Sequence, residues 1–209
     1  MTSPVAVTRG DTLRNHWRPA APDYLTWHLL FDDRPAFHEV AERYQHVLQG
    51  VDGIDVVPTR WLHLTVQGVG PAEEITTDNI NAFVAEAHGR LKGIQPFELI
   101  RQPADVLWEG IGLTAAPAEP VSTLRKELRA VIATVCGANR VPGADDDVLW
   151  PHVSLAYANG AAPAAELFDA IAALPREPVA VEIDQVALIT LRREGRRYVW
   201  SPVDVARLG

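Results

Sequence analysis

Two short segments of the chain carry the same pattern of chemically active side chains. One is HLTV at residues 63–66 and the other is HVSL at residues 152–155, so an imidazole is followed two positions later by a hydroxyl in both. A single His-x-Thr or His-x-Ser in a strand is more often structural or incidental than catalytic. The second copy changes that balance, because the other five histidines have no Thr or Ser two residues onward: His16, His28, His38, His46 and His88.

Imidazole and hydroxyl groups in this arrangement suit the cleavage of a phosphodiester. Each motif lies in an apolar, β-branched run, and side chains two positions apart in a strand share a face. An imidazole, with a reference pKa of about 6.5, can take a proton from water or give one to a leaving oxygen at neutral pH. Two imidazoles can therefore act as base and acid, while the hydroxyls donate hydrogen bonds to the charged non-bridging oxygens. This chemistry requires no metal and no other cofactor.

Hydrophobic periodicity predicts the elements that would position both motifs. Alternating apolar residues predict strands, and apolar stripes at three- and four-residue spacing predict helices. The predicted strands cover residues 24–31, 54–57, 61–68, 97–100, 106–114, 149–157, 179–192 and 198–203. The predicted helices cover residues 37–48, 77–91, 121–135 and 164–174. The last two strands are expected to complete the sheet of the second motif.

The order helix, histidine strand, helix occurs twice along the chain, which indicates an ancient duplication with pseudo-two-fold symmetry. We therefore expect an α+β, two-lobed fold in which two antiparallel sheets face a central cleft and helices pack outside. The whole chain, residues 1–209, is expected to form a single domain with one motif in each lobe, about 24–92 and 97–203. The two motif histidines should then face each other across the cleft.

Composition narrows the partners and the location of the protein. The formal net charge is −8, from 19 basic and 27 acidic residues, which argues against a broad surface for duplex nucleic acid. No apolar run approaches the roughly 20 residues that cross a bilayer, and residues 1–22 lack the hydrophobic segment of a secretory signal. We expect a cytoplasmic monomer without a membrane partner. The lone Cys136 cannot form an internal disulfide and lies in an apolar helical stripe, so a catalytic thiol is not expected.

The motifs and their surroundings resemble the 2H phosphoesterase superfamily, and within it the 2′-5′ RNA ligase-like proteins. That family is defined by two His-x-[Thr/Ser]-x motifs, and both are intact here. The resemblance extends to the flanking Trp61-Leu62, Pro151 and Ala156-Tyr157 and, through the order of strands and helices, to nearly everything between residues 24 and 203. The segments 16–19 and 24–28 look like those of an actinobacterial branch of the group.

The resemblance implies roles for four residues. His63 and His152 would be the acid–base pair, and Thr65 and Ser154 would anchor the phosphate, while the choice of base between the two histidines stays open. Family members act on 2′,3′-cyclic phosphates, on 2′,5′ linkages or on cyclic phosphates of ADP-ribose breakdown, and some join RNA ends reversibly without ATP. The resemblance thus implies a metal-independent cyclic phosphodiesterase, or 2′-5′ RNA ligase-like phosphoesterase, whose partner is a nucleotide or an RNA end.

Three further residues are candidate substrate contacts. His28 belongs to a strand face that would line the cleft, although a partly buried structural histidine is the commoner case. Tyr157 could stack on a base or ribose, or could be a rim or core aromatic. Arg192 belongs to a group of four arginines at a hairpin tip, which could bind phosphate or could be solvated as most such charge runs are.

Two other function classes are compatible with paired histidines. A zinc hydrolase would use them as ligands, but the sequence has no HExxH motif or CxxC pair to supply further ligands at the usual spacing. A noncatalytic module that binds RNA ends or nucleotide phosphates would keep the same fold. The intact histidines argue against such a module, because binding alone would not need two titratable groups.

Overall fold

The computed structural model describes residues 6–18, 22–146, 149–175 and 178–209, with Gln102 described by its backbone alone. Within this part of the chain the helices are α1 Pro35–Leu48, α2 Thr77–Leu91, α3 Glu119–Cys136 and α4 Ala164–Ala172. The strands are β1 Thr12–Leu13, β2 Tyr24–Leu30, β3 Ile54–Val56, β4 His63–Pro71, β5 Phe97–Leu107, β6 Gly110–Ala116, β7 His152–Ala158, β8 Ala162–Pro163, β9 Val179–Ile183, β10 Gln185–Arg193 and β11 Tyr198–Arg207. A short 3-10 turn, Thr59–Trp61, leads into β4.

Two antiparallel sheets carry one motif each. The first sheet has the order β11-β10-β2-β4 and the second has the order β3-β7-β6-β5-β9, while β1 and β8 form a separate short pair. His63 opens β4 and His152 opens β7. The two motif strands contact each other although they belong to different sheets. The predicted fold, α+β with two antiparallel sheets facing a cleft and helices outside, is confirmed.

The two halves of the chain exchange strands between the sheets. Strand β10 pairs with β2, with Ala187 opposite His28, and β11 pairs with β10, so the C-terminal hairpin belongs to the first sheet. The prediction that this hairpin completes the second sheet is wrong. In return, β3 from the first half pairs with β7. The lobes predicted as 24–92 and 97–203 are therefore interleaved, because periodicity indicates which residues form strands but not which strands pair.

Two predicted strands, those over residues 179–192 and 106–114, are each interrupted in the structure. The strand expected over residues 179–192 is two strands in different sheets, since β9 pairs with β5 and β10 pairs with β2, with the break at Asp184. The β5–β6 hairpin turns at Trp108 and Glu109, immediately before Gly110. A Cβ at Gly110 would lie 2.1 Å from the carbonyl oxygen of Ala156 on β7, so only glycine allows β6 and β7 to approach this closely.

Apolar side chains on the outward faces of the sheets pack against the helices. Trp27 of β2, Phe83 of α2 and Leu128 of α3 are fully buried and belong to one core that spans both sheets. Helix α3 buries residues at three- and four-residue spacing, as the sequence pattern predicts: Val121, Leu124, Leu128, Val131 and Ile132. None of the helices in the described part of the chain combines the length and the apolar character of a membrane span.

Candidate active site

The two motif histidines are held by the same local device. His63 follows the 3-10 turn, and its Nδ1 lies 2.9 Å from the carbonyl oxygen of Trp61. His152 Nδ1 lies 3.0 Å from the carbonyl oxygen of Trp150. A carbonyl oxygen can only accept, so each Nδ1 carries a proton and donates it. In the neutral ring the lone pair then sits on Nε2, which has no hydrogen-bond partner among the described residues in either case.

The two imidazoles lie within electrostatic reach of each other. The pKa of His63 is lowered to about 4, chiefly by burial and to a smaller extent by the charge of His152, while the hydrogen bond to Trp61 opposes this shift. Burial also lowers the pKa of His152, against its hydrogen bond to Trp150. Both rings are therefore neutral at neutral pH when no substrate is bound.

Tryptophan rings flank both histidines. The ring of His63 meets the ring of Trp200 edge to face, with centroids 5.2 Å apart, and Trp61 meets Trp200 in the same way at 4.7 Å. On the other strand, Trp150 stacks on His152 at 4.8 Å. These large rings restrict the orientations of the imidazoles and exclude water from one side of each, which is consistent with the lowered pKa values.

His28 lies against the first motif rather than in the open cleft. It stands opposite Thr65 in the β2–β4 register, and its Nε2 is 3.2 Å from Thr65 Oγ1. Its ring stacks on that of His63, with centroids 4.5 Å apart and planes 2° from parallel. Only 1 % of His28 is exposed, whereas Thr65 is exposed. Motif residues thus cover His28, and its contact with the substrate stays a prediction.

Tyr157 does not offer a free ring face for a base. His16 stacks on it at 4.0 Å, and Trp17 and Tyr198 meet it edge to face at 5.3 and 5.7 Å. Burial raises the pKa of Tyr157, against the opposing effect of the neighbouring Ser154 side chain, so the phenol keeps its proton. The N-terminal segment covers the ring, which favours the alternative of a rim or core aromatic, and the stacking of Tyr157 on a base or ribose stays a prediction.

Arg193, rather than Arg192, lies on the cleft side of the first sheet. Leu191 packs with Trp200, which contacts His63, so Leu191 marks the cleft side of β10. Neighbouring side chains in a strand point to opposite faces, so Arg192 points away from the cleft, and its contact with the substrate stays a prediction. Arg193 returns to the cleft side, where its charge acts on Tyr198.

The N-terminal segment brings further polar groups that the sequence analysis missed. The two ring nitrogens of His16 lie 3.0 Å from the Glu109 carboxylate and 3.0 Å from the Tyr198 hydroxyl. Burial lowers the pKa of His16 despite the opposing effect of Glu109, so its Nδ1–H donates to the carboxylate and its Nε2 accepts from the phenol. Tyr198 and Trp200 alternate on one face of the last strand. Had the sequence analysis placed that strand in the first sheet, this alternation would have put both rings on the cleft side, next to these polar groups.

A second polar group ties the arginine-rich hairpin to the second sheet. Asp55 of β3 accepts from the indole Nε1 of Trp17 at 3.0 Å and from Asn159 at 2.7 Å, and it pairs with Arg196 at 2.8 Å. Arg196 is therefore engaged in an ion pair at the hairpin tip. Among the described residues, no group of three or more His, Cys, Asp or Glu side chains is arranged to hold a metal ion.

The family assignment rests on most of the chain. A family model described as the 2'-5' RNA ligase superfamily matches residues 35–195, which include both motifs. The chain belongs to this superfamily. The resemblance of the motifs to 2H phosphoesterases is thus confirmed at the level of the superfamily, while the actinobacterial branch stays a prediction. No curated protein matched the chain by sequence.

Solved structures share the fold of this superfamily member. TT0787 of Thermus thermophilus has a TM-score of 0.68 at 21% identity, over 88% of this chain and 97% of that one. A phosphoesterase has a TM-score of 0.62 at 19% identity, over 90% and 99%. E. coli LigT in complex with 3'-AMP also has a TM-score of 0.62, at 17% identity, over 90% and 99%. Membership of the superfamily supports a phosphoesterase or ligase-like activity.

Proposed function

We propose that this member of the 2'-5' RNA ligase superfamily is a phosphodiesterase that opens 2′,3′-cyclic phosphates or cleaves 2′,5′ linkages at nucleotide or RNA ends. One observation carries the proposal. His63 and His152, on strands that meet from two sheets, are both fixed through Nδ1 and both keep Nε2 for chemistry. A pair of oriented, titratable rings with hydroxyls two residues onward suits a phosphate held between them.

The reaction assigns one proton transfer to each ring. Nε2 of one histidine takes a proton from water as the water oxygen attacks phosphorus. The bond from phosphorus to the leaving ribose oxygen breaks, and Nε2–H of the other histidine gives its proton to that oxygen. Thr65 and Ser154 donate hydrogen bonds to non-bridging oxygens as charge builds on them.

The electrostatics favour His63 as the base in hydrolysis. Its pKa of about 4 leaves its Nε2 unprotonated over the whole neutral range. His152 would be the acid. A phosphate anion bound between the two rings would stabilise the protonated form of His152, which could then give its proton to the leaving oxygen. With a ribose hydroxyl in place of the attacking water, the same two transfers would join an RNA 2′,3′-cyclic phosphate to that ribose, and the reverse of this step would cleave the new linkage, so a reversible ligase activity uses no additional group.

Charge and relatives support a nucleotide-sized substrate. The formal net charge of −8 disfavours extended duplex nucleic acid, whereas a single phosphate needs few cations. E. coli LigT has been crystallised with ATP, NADP+, 3'-AMP and phosphate. We expect the present protein likewise to accept a nucleotide phosphate or an RNA end, and to act as a cytoplasmic monomer without a cofactor.

A substrate panel with EDTA present tests this function. The panel contains 2′,3′-cyclic nucleotides, 2′,5′-linked oligomers and ADP-ribose cyclic phosphate, and His63→Ala serves as the inactive reference. We expect hydrolysis of at least one compound that is insensitive to EDTA and absent in the variant. Activity that disappears with EDTA and returns with zinc would indicate a zinc hydrolase instead. Binding without turnover across the panel would indicate a noncatalytic module.

A further inference from the structure

A third histidine supports the first motif. His28 is paired with Thr65 across β2 and β4, hydrogen-bonded to its hydroxyl at 3.2 Å and stacked on His63 at 4.5 Å. Its Nδ1 is buried and has no hydrogen-bond partner among the described residues. A fully buried imidazole with one unpaired nitrogen is costly, and such groups occur where they have a role beyond packing.

The unpaired nitrogen decides which way the Thr65 hydrogen bond runs. If Nδ1 carried the proton of neutral His28, a buried N–H donor would be left without an acceptor, and Nε2 would accept the Thr65 proton. If Nε2 carries it, the orphan is an acceptor, and Nε2–H donates to Thr65 Oγ1. Buried orphan donors are rarer than under-satisfied acceptors, so the second form is favoured.

We propose that His28 is a positioning residue, which donates Nε2–H to Thr65 Oγ1 and so directs the only proton of the Thr65 hydroxyl towards the substrate phosphate. The exposed hydroxyl then donates outward, and the parallel ring of His28 supports the ring of His63 from behind. This inference rests on the proposed phosphodiesterase function.

The charge state of His28 is compatible with this role. Burial, and then the nearby charge of His63, lower the pKa of His28 well below its usual value. His28 therefore stays neutral when His63 takes up a proton from water. A cationic His28 stacked at 4.5 Å would oppose that proton transfer, because two like charges would share one buried site.

Long-range ¹H–¹⁵N NMR of the wild-type protein tests the protonation state directly. At neutral pH the ring of His28 should carry its proton on Nε2, whereas the rings of His63 and His152 should carry theirs on Nδ1. A proton on Nδ1 of His28 overturns the proposal. This measurement needs no substrate, so it gives an answer even if the protein proves inactive on every phosphodiester, an outcome that would refute the proposed function instead.

Kinetics test the consequence for catalysis. His28→Phe keeps a ring against His63 but removes the donor, and kcat should fall about 10- to 100-fold with little change in KM, as with other outer-layer partners of working side chains. His28→Gln, whose carboxamide can donate, should recover part of the loss. In the His28→Phe background, Thr65→Val should cost little more, because the hydroxyl is no longer directed.

His38→Phe is the matched control. His38 is hydrogen-bonded like His28, with Nε2 2.5 Å from the Phe31 carbonyl oxygen, but it is only half-buried and lies on α1, so its replacement should leave kcat unchanged. Wild-type kcat in His28→Phe, or a full additional loss from Thr65→Val in that background, overturns the proposal. If thermal melts show that His28→Phe does not fold, the NMR result and the His28→Gln kinetics decide.

Discussion

The two halves of the site hold their imidazoles by the same hydrogen bond, but they place different side chains next to their hydroxyls. His63 and His152 both donate Nδ1–H to the carbonyl oxygen two residues earlier. Thr65 is hydrogen-bonded to the buried imidazole of His28, whereas the neighbour of Ser154 is the phenol of Tyr157. The local geometry of the histidine and the hydroxyl on each strand is thus the same in both halves, whereas the side chains that contact the hydroxyls differ.

The two halves also enclose their motif histidines to different extents, and this affects the pKa of each ring. The first half surrounds His63 with the rings of His28 and Trp200, and its pKa falls to about 4. In the second half His152 is less fully enclosed, and its pKa is lowered without the additional effect of a neighbouring charge. A site made of two similar parts can obtain a base and an acid by enclosing them differently, since acid–base roles follow from environment.

The largest effect should come from removing either imidazole. His63→Ala or His152→Ala is expected to lower kcat/KM by roughly two to four decades, because each transfers a proton in the transition state. The double variant should lose far less than the product of the two, since the residues act as one unit. His46→Ala, on an exposed position of α1, is the control and should be fully active. Multiplicative losses would mean that the halves work independently.

A smaller effect is expected from the hydroxyls. Thr65→Val and Ser154→Ala should each lower kcat by about a hundredfold, because the donors act on charge that develops in the transition state. Steady-state kinetics on the best cyclic phosphate separates kcat from KM. If KM alone rises, the hydroxyls bind only the ground state, and unchanged kcat/KM in both variants would remove them from the mechanism.

The smallest expected effect is on the pH dependence of kcat/KM and of kcat. His63 is a competent base above its pKa of about 4, and His152 is a competent acid below a pKa that burial lowers from 6.5, so kcat/KM should be bell-shaped with a maximum between these values. A bound phosphate anion favours protonation, so the kcat profile should lie at higher pH than the kcat/KM profile. A kcat/KM maximum above pH 7 would contradict the lowering of the two histidine pKa values by burial.

The sequence pattern predicted those features of the fold that depend only on the conformation of a single segment. Helix α2 has the predicted bounds, and both motifs lie in strands that bring their histidine and hydroxyl to one face, because alternation depends only on the strand itself. The apolar stripes of the helices likewise follow a periodicity that each segment carries within it. Fold class and family were accordingly predictable from the sequence.

The surroundings of the supporting residues could not be predicted, because they depend on tertiary packing. His28 is covered by residues of a neighbouring strand, and Tyr157 by a segment more than a hundred residues earlier in the chain. The face of β10 to which Arg192 belongs could not be known before its hairpin was placed in the first sheet. Each of these features concerns what packs against a residue, and hydrophobic periodicity carries no information on that.

The exchange of strands makes the pseudo-symmetric halves inseparable. A cut between residues 92 and 97 would leave an N-terminal fragment with only β2 and β4 of the four-stranded sheet, and with β3 lacking its partner β7. The C-terminal fragment would hold β10 and β11 without the strand they lie beside. Neither piece could bury its apolar faces alone, so mixing the two fragments should reconstitute folding and turnover together, in a single cooperative step.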